Sequence, residues 1–207
     1  MPFYGNTEDN THCFQAAVRM VLKFFKPEEE YSWEELERMT AKIEGQWTWP
    51  IAVMIWLSKN GFDVQDVELF DYQKFSIHGK VYLQDMFGLE IAEAQDKHTN
   101  LKQEQELSKE LVTCVEVQMR VPTVIDLRNY LEEGYLLICN INAAKLDDVD
   151  GYLPHVVVVF GHENGTLLLH NPGLPPNENQ RVSVDRFEKA WAYPEESGKN
   201  MLAVRLT

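Results

Sequence analysis

The chain has 207 residues and a formal net charge of −14, with 33 acidic side chains against 19 basic ones. This balance excludes a duplex nucleic-acid binder, which needs a basic stripe to displace counterions, and an anionic membrane surface would repel the chain. With 44% apolar and 25% charged residues it reads as a soluble globule, one domain over residues 1–207, for which basic peptides are the electrostatically easier substrates.

The opening residues MPFYGNTEDNTHC contain no basic cluster followed by an apolar run, so no targeting segment is expected. No apolar stretch is long enough to span a bilayer. Three widely spaced cysteines do not form a disulfide framework, and a reducing cytoplasmic setting is the expectation. No Cys or His ligands stand at short metal-binding spacing, so neither metal nor other cofactor is expected.

The first half of the chain reads as mainly helical. Between residues 13 and 25 the apolar positions Ala16, Ala17, Met20, Val21, Phe24 and Phe25 recur with helical period, and Pro27 ends the pattern. Ser32 with Glu35 three residues on is a capping box for a second helix. A third helix starts near Trp49-Pro50 and stops at Asn60-Gly61, before a short strand over 63–69. Residues 71–111 are open to two readings. Segments 80–87 and 100–111 can be helical, and the polar run 95–110 can equally be a solvated insert. The second half turns to strands. A strand is expected over 112–119, then an amphipathic helix over 123–133 capped by Thr123 and stopped by Gly134. The apolar run 135–141 predicts a strand buried on both faces. Residues 155–160 and 166–170 predict a hairpin around Glu163-Asn164-Gly165. Strands over 181–184 and 201–206 flank a short helix at 185–191. The class is therefore α+β, a helical lobe of about 1–111 followed by an antiparallel β lobe of about 112–207.

Cys13 stands where the first helix begins. Free N–H groups and the positive end of the helix dipole favour a thiolate there. Cys114 and Cys139 fall within apolar strand segments and read as small hydrophobes. His155 opens an apolar strand, and the hairpin brings residues 171–174 roughly opposite it. Asn171, in LLLHNPG, lies at the edge of that range, where its amide can accept an imidazole N–H and set the tautomer. Taken alone, the pair reads more readily as a strand start and a turn. His162 and His170 flank the same hairpin without the spacing of a metal site. His12 adjoins Cys13, but neighbouring side chains diverge.

Three stretches together carry a resemblance: DNTHCFQAAVRMVLKFF, TVIDLRNYLEEGYLLICNIN and LPHVVVVFGHENGTLLLHNP. In the order Cys, His, Asn they resemble the papain-like cysteine peptidases, and most nearly the compact branch related to bacteriocin leader peptidases that cut after double-glycine motifs. The resemblance implies a papain-like fold, a central thiol-bearing helix packed on a β lobe, Cys13 as nucleophile, His155 as base and Asn171 as its orienter. The family places a Gln about six residues before the nucleophile as an oxyanion donor. Here Thr7 holds that place, and Asn6 and Asn10 are the substitutes. Phe14 also replaces the small Gly that often follows the thiol. In the family's layout Trp47 and Trp49 lie near a cleft wall and are candidates for the substrate groove, with core packing as the other reading. The expected activity is cleavage of an amide or peptide bond through an acyl-thioenzyme. Deamidation or acyl transfer by the same residues, an inactive binding module and a purely structural interaction protein are the alternatives.

Overall fold

A computed structural model describes residues 1–192 and 195–207. The elements in chain order are α1 (Cys13–Phe25), α2 (Trp33–Met39), α3 (Ile51–Lys59), β1 (Phe62–Glu68), α4 (Tyr72–His78), α5 (Lys80–Phe87), α6 (Leu89–His98), α7 (Leu101–Cys114) and β2 (Glu116–Met119). They continue as α8 (Val124–Glu132), β3 (Leu136–Asn142), α9 (Ala143–Leu146), β4 (Pro154–Glu163), β5 (Thr166–Asn171), β6 (Asn177–Ser183), α10 (Val184–Trp191) and β7 (Asn200–Leu206).

The strands form one sheet in the order β2-β1-β7-β3-β4-β5-β6. Its pairs are antiparallel except at the β2 edge, where β2 runs parallel to β1. Alternation of side chains across the strands supplies two cores. On one face Val64, Ile138, Val156, Val158 and Val204 pack with Ala17, Met20 and Val21 of α1 and with Val53 and Met54 of α3. On the other, Leu137, Cys139, Val157, Leu169 and Ala203 pack with Leu127 of α8 and with Phe187 and Trp191 of α10. The continuous apolar reading of β3 follows from this arrangement, since both of its faces are covered.

Local signals place most of the helix ends. Ser32 accepts the Glu35 N–H at 3.2 Å while the Glu35 carboxylate accepts the Ser32 N–H at 2.8 Å. Thr123 and Asp126 make the same reciprocal pair at the start of α8. Residues 71–111 fold into α4 to α7 with short breaks between them, and the polar run spans the end of α6 and most of α7. The face of α7 turned inward carries Leu101, Glu104, Ser108 and Leu111, a stripe half polar, which hides the helical period. That stripe carries α7 on to Cys114, so the strand expected over 112–119 shrinks to 116–119, and Cys114 lies at a helix end instead of inside a strand. Phe24, expected on the buried face of α1, is 45% exposed.

Two acids lie inside the helical side of the structure. Burial raises the Glu104 carboxyl to about 7. Asp66 and Glu68 stand two apart on one face of β1, and the Tyr72 hydroxyl donates to Glu68. Burial first, and then the Glu68 charge, hold the Asp66 carboxyl well above its ordinary value of 3.8. The folded state therefore binds the Asp66 proton more tightly than the unfolded chain does. Its contribution to stability is complete below the unfolded value and disappears as pH rises through the folded one. Urea unfolding at about pH 5 and about pH 8 is expected to show wild-type stability falling with pH. In Asp66→Asn that fall should be clearly smaller.

Candidate active site

The residues leading into α1 form a hydrogen-bonded knot. Asn6 Oδ1 accepts the backbone N–H of His12 at 2.7 Å and that of Thr7 at 2.9 Å. The hydroxyls of Thr7 and Thr11 donate to Asp9 at 2.6 and 3.0 Å, and the Thr7 bond leads the causes that lower the Asp9 carboxyl to about 2. His12 Nε2 sits 2.6 Å from Glu37 Oε1, which ties the knot to α2. The polar NTEDNTH stretch thus fixes where α1 begins, and with it the position of Cys13.

The Cys13 sulfur is part-buried and is approached by the backbone N–H groups of Phe14, Val156 and Cys13 itself, with Lys42 nearby. Val156 follows His155 on β4, so the thiol of the N-terminal helix and the start of the distant strand meet. The helix start was expected to lower the thiol pKa. Burial raises it instead, and the three N–H groups and Lys42 offset only part of that cost. Burial likewise lowers the His155 pKa, against the opposing effects of Asn171 and Asp147. Both shifts favour the uncharged thiol and the uncharged imidazole.

His155 Nε2 lies 2.8 Å from Asn171 Oδ1. The amide oxygen only accepts, so Nε2 carries the proton and Nδ1 keeps its lone pair. The geometry depends on the β4–β5 hairpin. Asn164 and Gly165 both have positive φ, 49° and 77°, the two-residue turn that an Asn-Gly pair favours. The register then shifts: Gly161 pairs with Leu168 but Val159 with Leu169, leaving Phe160 as an extra residue in β4. Continued from Val158 opposite His170, the register sets His155 opposite Gly173, on the face that Asn171 shares. A hairpin without the bulge would turn His155 and Asn171 to opposite faces.

The structure adds residues that the sequence did not single out. Gly173 donates its N–H to Asn171 Oδ1 at 3.0 Å. A Cβ on Gly173 would lie 2.9 Å from that oxygen and 3.2 Å from His155 Nε2. Asn171 Nδ2 donates to Gln180 Oε1 at 3.3 Å. The Asn6 N–H donates to Pro172 O at 2.8 Å, joining the loop before the thiol to the turn after Asn171. Spacing alone carries no sign of these contacts, because they depend on which loops the fold brings together.

The remaining candidates separate. The Asn6 side chain is occupied inside the knot, its Nδ2 donating to Asn10 Oδ1 at 2.8 Å. Asn10 is exposed, with φ 59°. Trp47 is half exposed and stacks on His98 with ring centroids 4.9 Å apart. Trp49 is different: it packs against Phe70 and Phe75 on the helical core, and its indole N–H donates to Gln95 at 3.1 Å. His170 is buried between Phe3 and Phe160, and its Nδ1 accepts the Asn179 N–H at 3.1 Å. His162 faces Glu132 at 3.4 Å.

No family model and no curated protein sequence matches the chain. Among solved structures, the fold is similar to the peptidase domain of Streptococcus ComA, described as a bi-functional ABC transporter involved in a quorum-sensing pathway. The TM-score is 0.53 and the identity 16%, over 99% of this chain and 96% of that one. The likeness shows the α+β fold of a papain-like peptidase domain. Among the described residues no helix is long and apolar enough to cross a membrane.

Two outcomes follow from the electrostatics and packing. Iodoacetamide labelling of Cys13, followed by peptide mass mapping, is expected to be slow near pH 6. It should keep climbing past the ordinary thiol value of 9.0. A rate already maximal near pH 5 would show a preformed thiolate. Gly173→Ala pushes a methyl group against the His155–Asn171 bond and is expected to weaken it, read as a change in the ¹⁵N signals of the His155 imidazole. Its urea midpoint should stay close to wild type.

Proposed function

We propose that the protein is a thiol-dependent amide hydrolase acting on a peptide or protein, with Cys13 as nucleophile, His155 as base and Asn171 as orienter. The observation that carries this reading is the 2.8 Å bond from His155 to Asn171, which leaves Nδ1 basic at the end of the strand whose next N–H meets the Cys13 sulfur. The similarity to a peptidase domain supports the class of reaction. We place the chain in the compact papain-like branch related to bacteriocin leader peptidases, as one domain spanning residues 1–207.

The chemistry is that of general-base attack. As Cys13 sulfur bonds to the scissile carbonyl carbon, its proton passes to His155 Nδ1. The carbonyl oxygen becomes the oxyanion of a tetrahedral intermediate. Collapse breaks the C–N bond, the amine leaves with the proton from His155, and an acyl-thioenzyme is left on Cys13. Water then attacks the thioester with His155 again as base, releasing the acid and the thiol. Asn171 holds the imidazole in the tautomer that accepts at Nδ1. Of the two oxyanion candidates Asn10 is the better placed, because its Nδ2 can donate while its Oδ1 accepts from Asn6, whereas both ends of the Asn6 amide are engaged in the knot. Deamidation or acyl transfer would use the same three residues on a different acyl acceptor. The net charge of −14 favours basic substrates, and three free cysteines suit a reducing cytoplasm.

One observation favours a second reading, a papain-like binding module without turnover. The place of the family's oxyanion Gln holds Thr7, and the nearest amide, Asn6, is engaged elsewhere. Loss of one such donor typically costs about 10²–10³ in rate. Intact-mass measurement after incubation with a peptide vinyl sulfone separates the two. The hydrolase gives a single covalent adduct on Cys13, absent in Cys13→Ala and strongly slowed in His155→Ala, with Cys114 and Cys139 unlabelled. Equal labelling of all accessible thiols, with His155→Ala as fast as wild type, would sink the hydrolase and leave the binding module.

A further inference from the structure

We infer that Gln180 is a positioning residue that fixes which way the Asn171 amide faces, and through it the tautomer of His155. This inference rests on the catalytic reading above for its consequence, though not for its geometry. An Asn side chain can sit two ways in one envelope, and only its partners decide between them. Asn171 Oδ1 receives two donors, His155 Nε2–H at 2.8 Å and the Gly173 N–H at 3.0 Å. Its Nδ2 has one acceptor, Gln180 Oε1 at 3.3 Å.

Flipping the amide would set Nδ2 against the Gly173 N–H, donor against donor. It would also ask His155 Nε2 to accept, which moves the imidazole proton to Nδ1 and removes the base facing the thiol. The Gly173 N–H opposes this flip from the oxygen side. Gln180 opposes it from the nitrogen side, where an acceptor rewards only the productive orientation. Asn171 is 8% exposed, so a mispaired amide gains little from solvent.

The sheet places Gln180 for this task. Gln180 pairs with Leu169 and Asn171 with Asn177, so β6 carries one residue more than β5 across this interval. Asn179 lies in the left-handed region at φ 54°, and its N–H turns in to His170 Nδ1 at 3.1 Å. The resulting bulge re-aims the strand beside Asn171, a recurrent use of such irregularities next to functional side chains. Gln180 occupies the partly polar edge strand β6, where the solvent-facing neighbours Asn177, Glu178 and Arg181 have no such role.

The test uses the full chain labelled with ¹⁵N-histidine. The long-range proton–nitrogen spectrum of His155, assigned by its loss in His155→Ala, reports which ring nitrogen is protonated. In wild type Nε2 is expected to be protonated and Nδ1 bare. Gln180→Leu and Gln180→Met, which remove the acceptor, should shift the spectrum toward a mixture of tautomers. They should lower kcat about fivefold to tenfold with little change in KM. Gln180→Glu, an acceptor that cannot present a donor, should restore the wild-type tautomer and most of kcat. The proposal is overturned if neither apolar variant alters the His155 spectrum, or if Gln180→Glu is as impaired as both. The spectrum reads the tautomer whether or not a peptide is cleaved. An inert Cys13 would therefore count against the hydrolase, while the tautomer result alone decides the role of Gln180.

Discussion

One hydrogen bond, from His155 Nε2 to Asn171 Oδ1, depends on the sheet having an extra residue in β4. With Phe160 bulged out, the imidazole and the amide share a face and stand 2.8 Å apart. Side-chain direction alternates with a period of two along a strand, so a one-residue change of register is the largest change a hairpin can make to a site. The same constraint explains the close fit of Gly173. Opposite His155 there is room for a backbone N–H that binds the amide oxygen and none for a side chain.

The electrostatics of the thiol are a contest that burial wins. Three backbone N–H groups and Lys42 favour the thiolate, yet desolvation raises the Cys13 pKa and lowers that of His155. Both shifts favour the uncharged forms of the two groups. The bond from His155 Nε2 to Asn171 Oδ1 fixes how the imidazole is turned.

Three layers hold these groups in place. Helices α1–α7 cover one face of the sheet and α8–α10 the other, so the central strands are buried twice over. The N-terminal knot and the 171–173 turn are joined by the Asn6–Pro172 bond. Through it the start of α1 and the end of β5 are held as one unit, although about 160 residues separate them in the chain. The helical side also tolerates buried acids at Asp66 and Glu104, whose carboxyl pKa values burial raises.

The amino-acid sequence by itself determined the elements whose signals are local. Capping boxes at Ser32 and Thr123, the Asn-Gly turn and the apolar run of β3 name their own structures, because each rests on neighbours within a few residues. The grouping of Cys13, His155 and Asn171 rested on the likeness of three stretches to a family, since local signals alone read them as a helix start, a strand start and a turn. Tertiary structure decided the rest. Whether residues 95–110 fold into helix depended on a half-polar stripe finding a core to pack on. Trp49 joined that core while Trp47 stayed half exposed, a difference invisible in GQWTWP. The bulge at Phe160, the sign of the Cys13 pKa shift and the contacts of Gly173 and Gln180 arise from long-range register and burial. Those are sums over segments distant in the chain, and no window of sequence contains them.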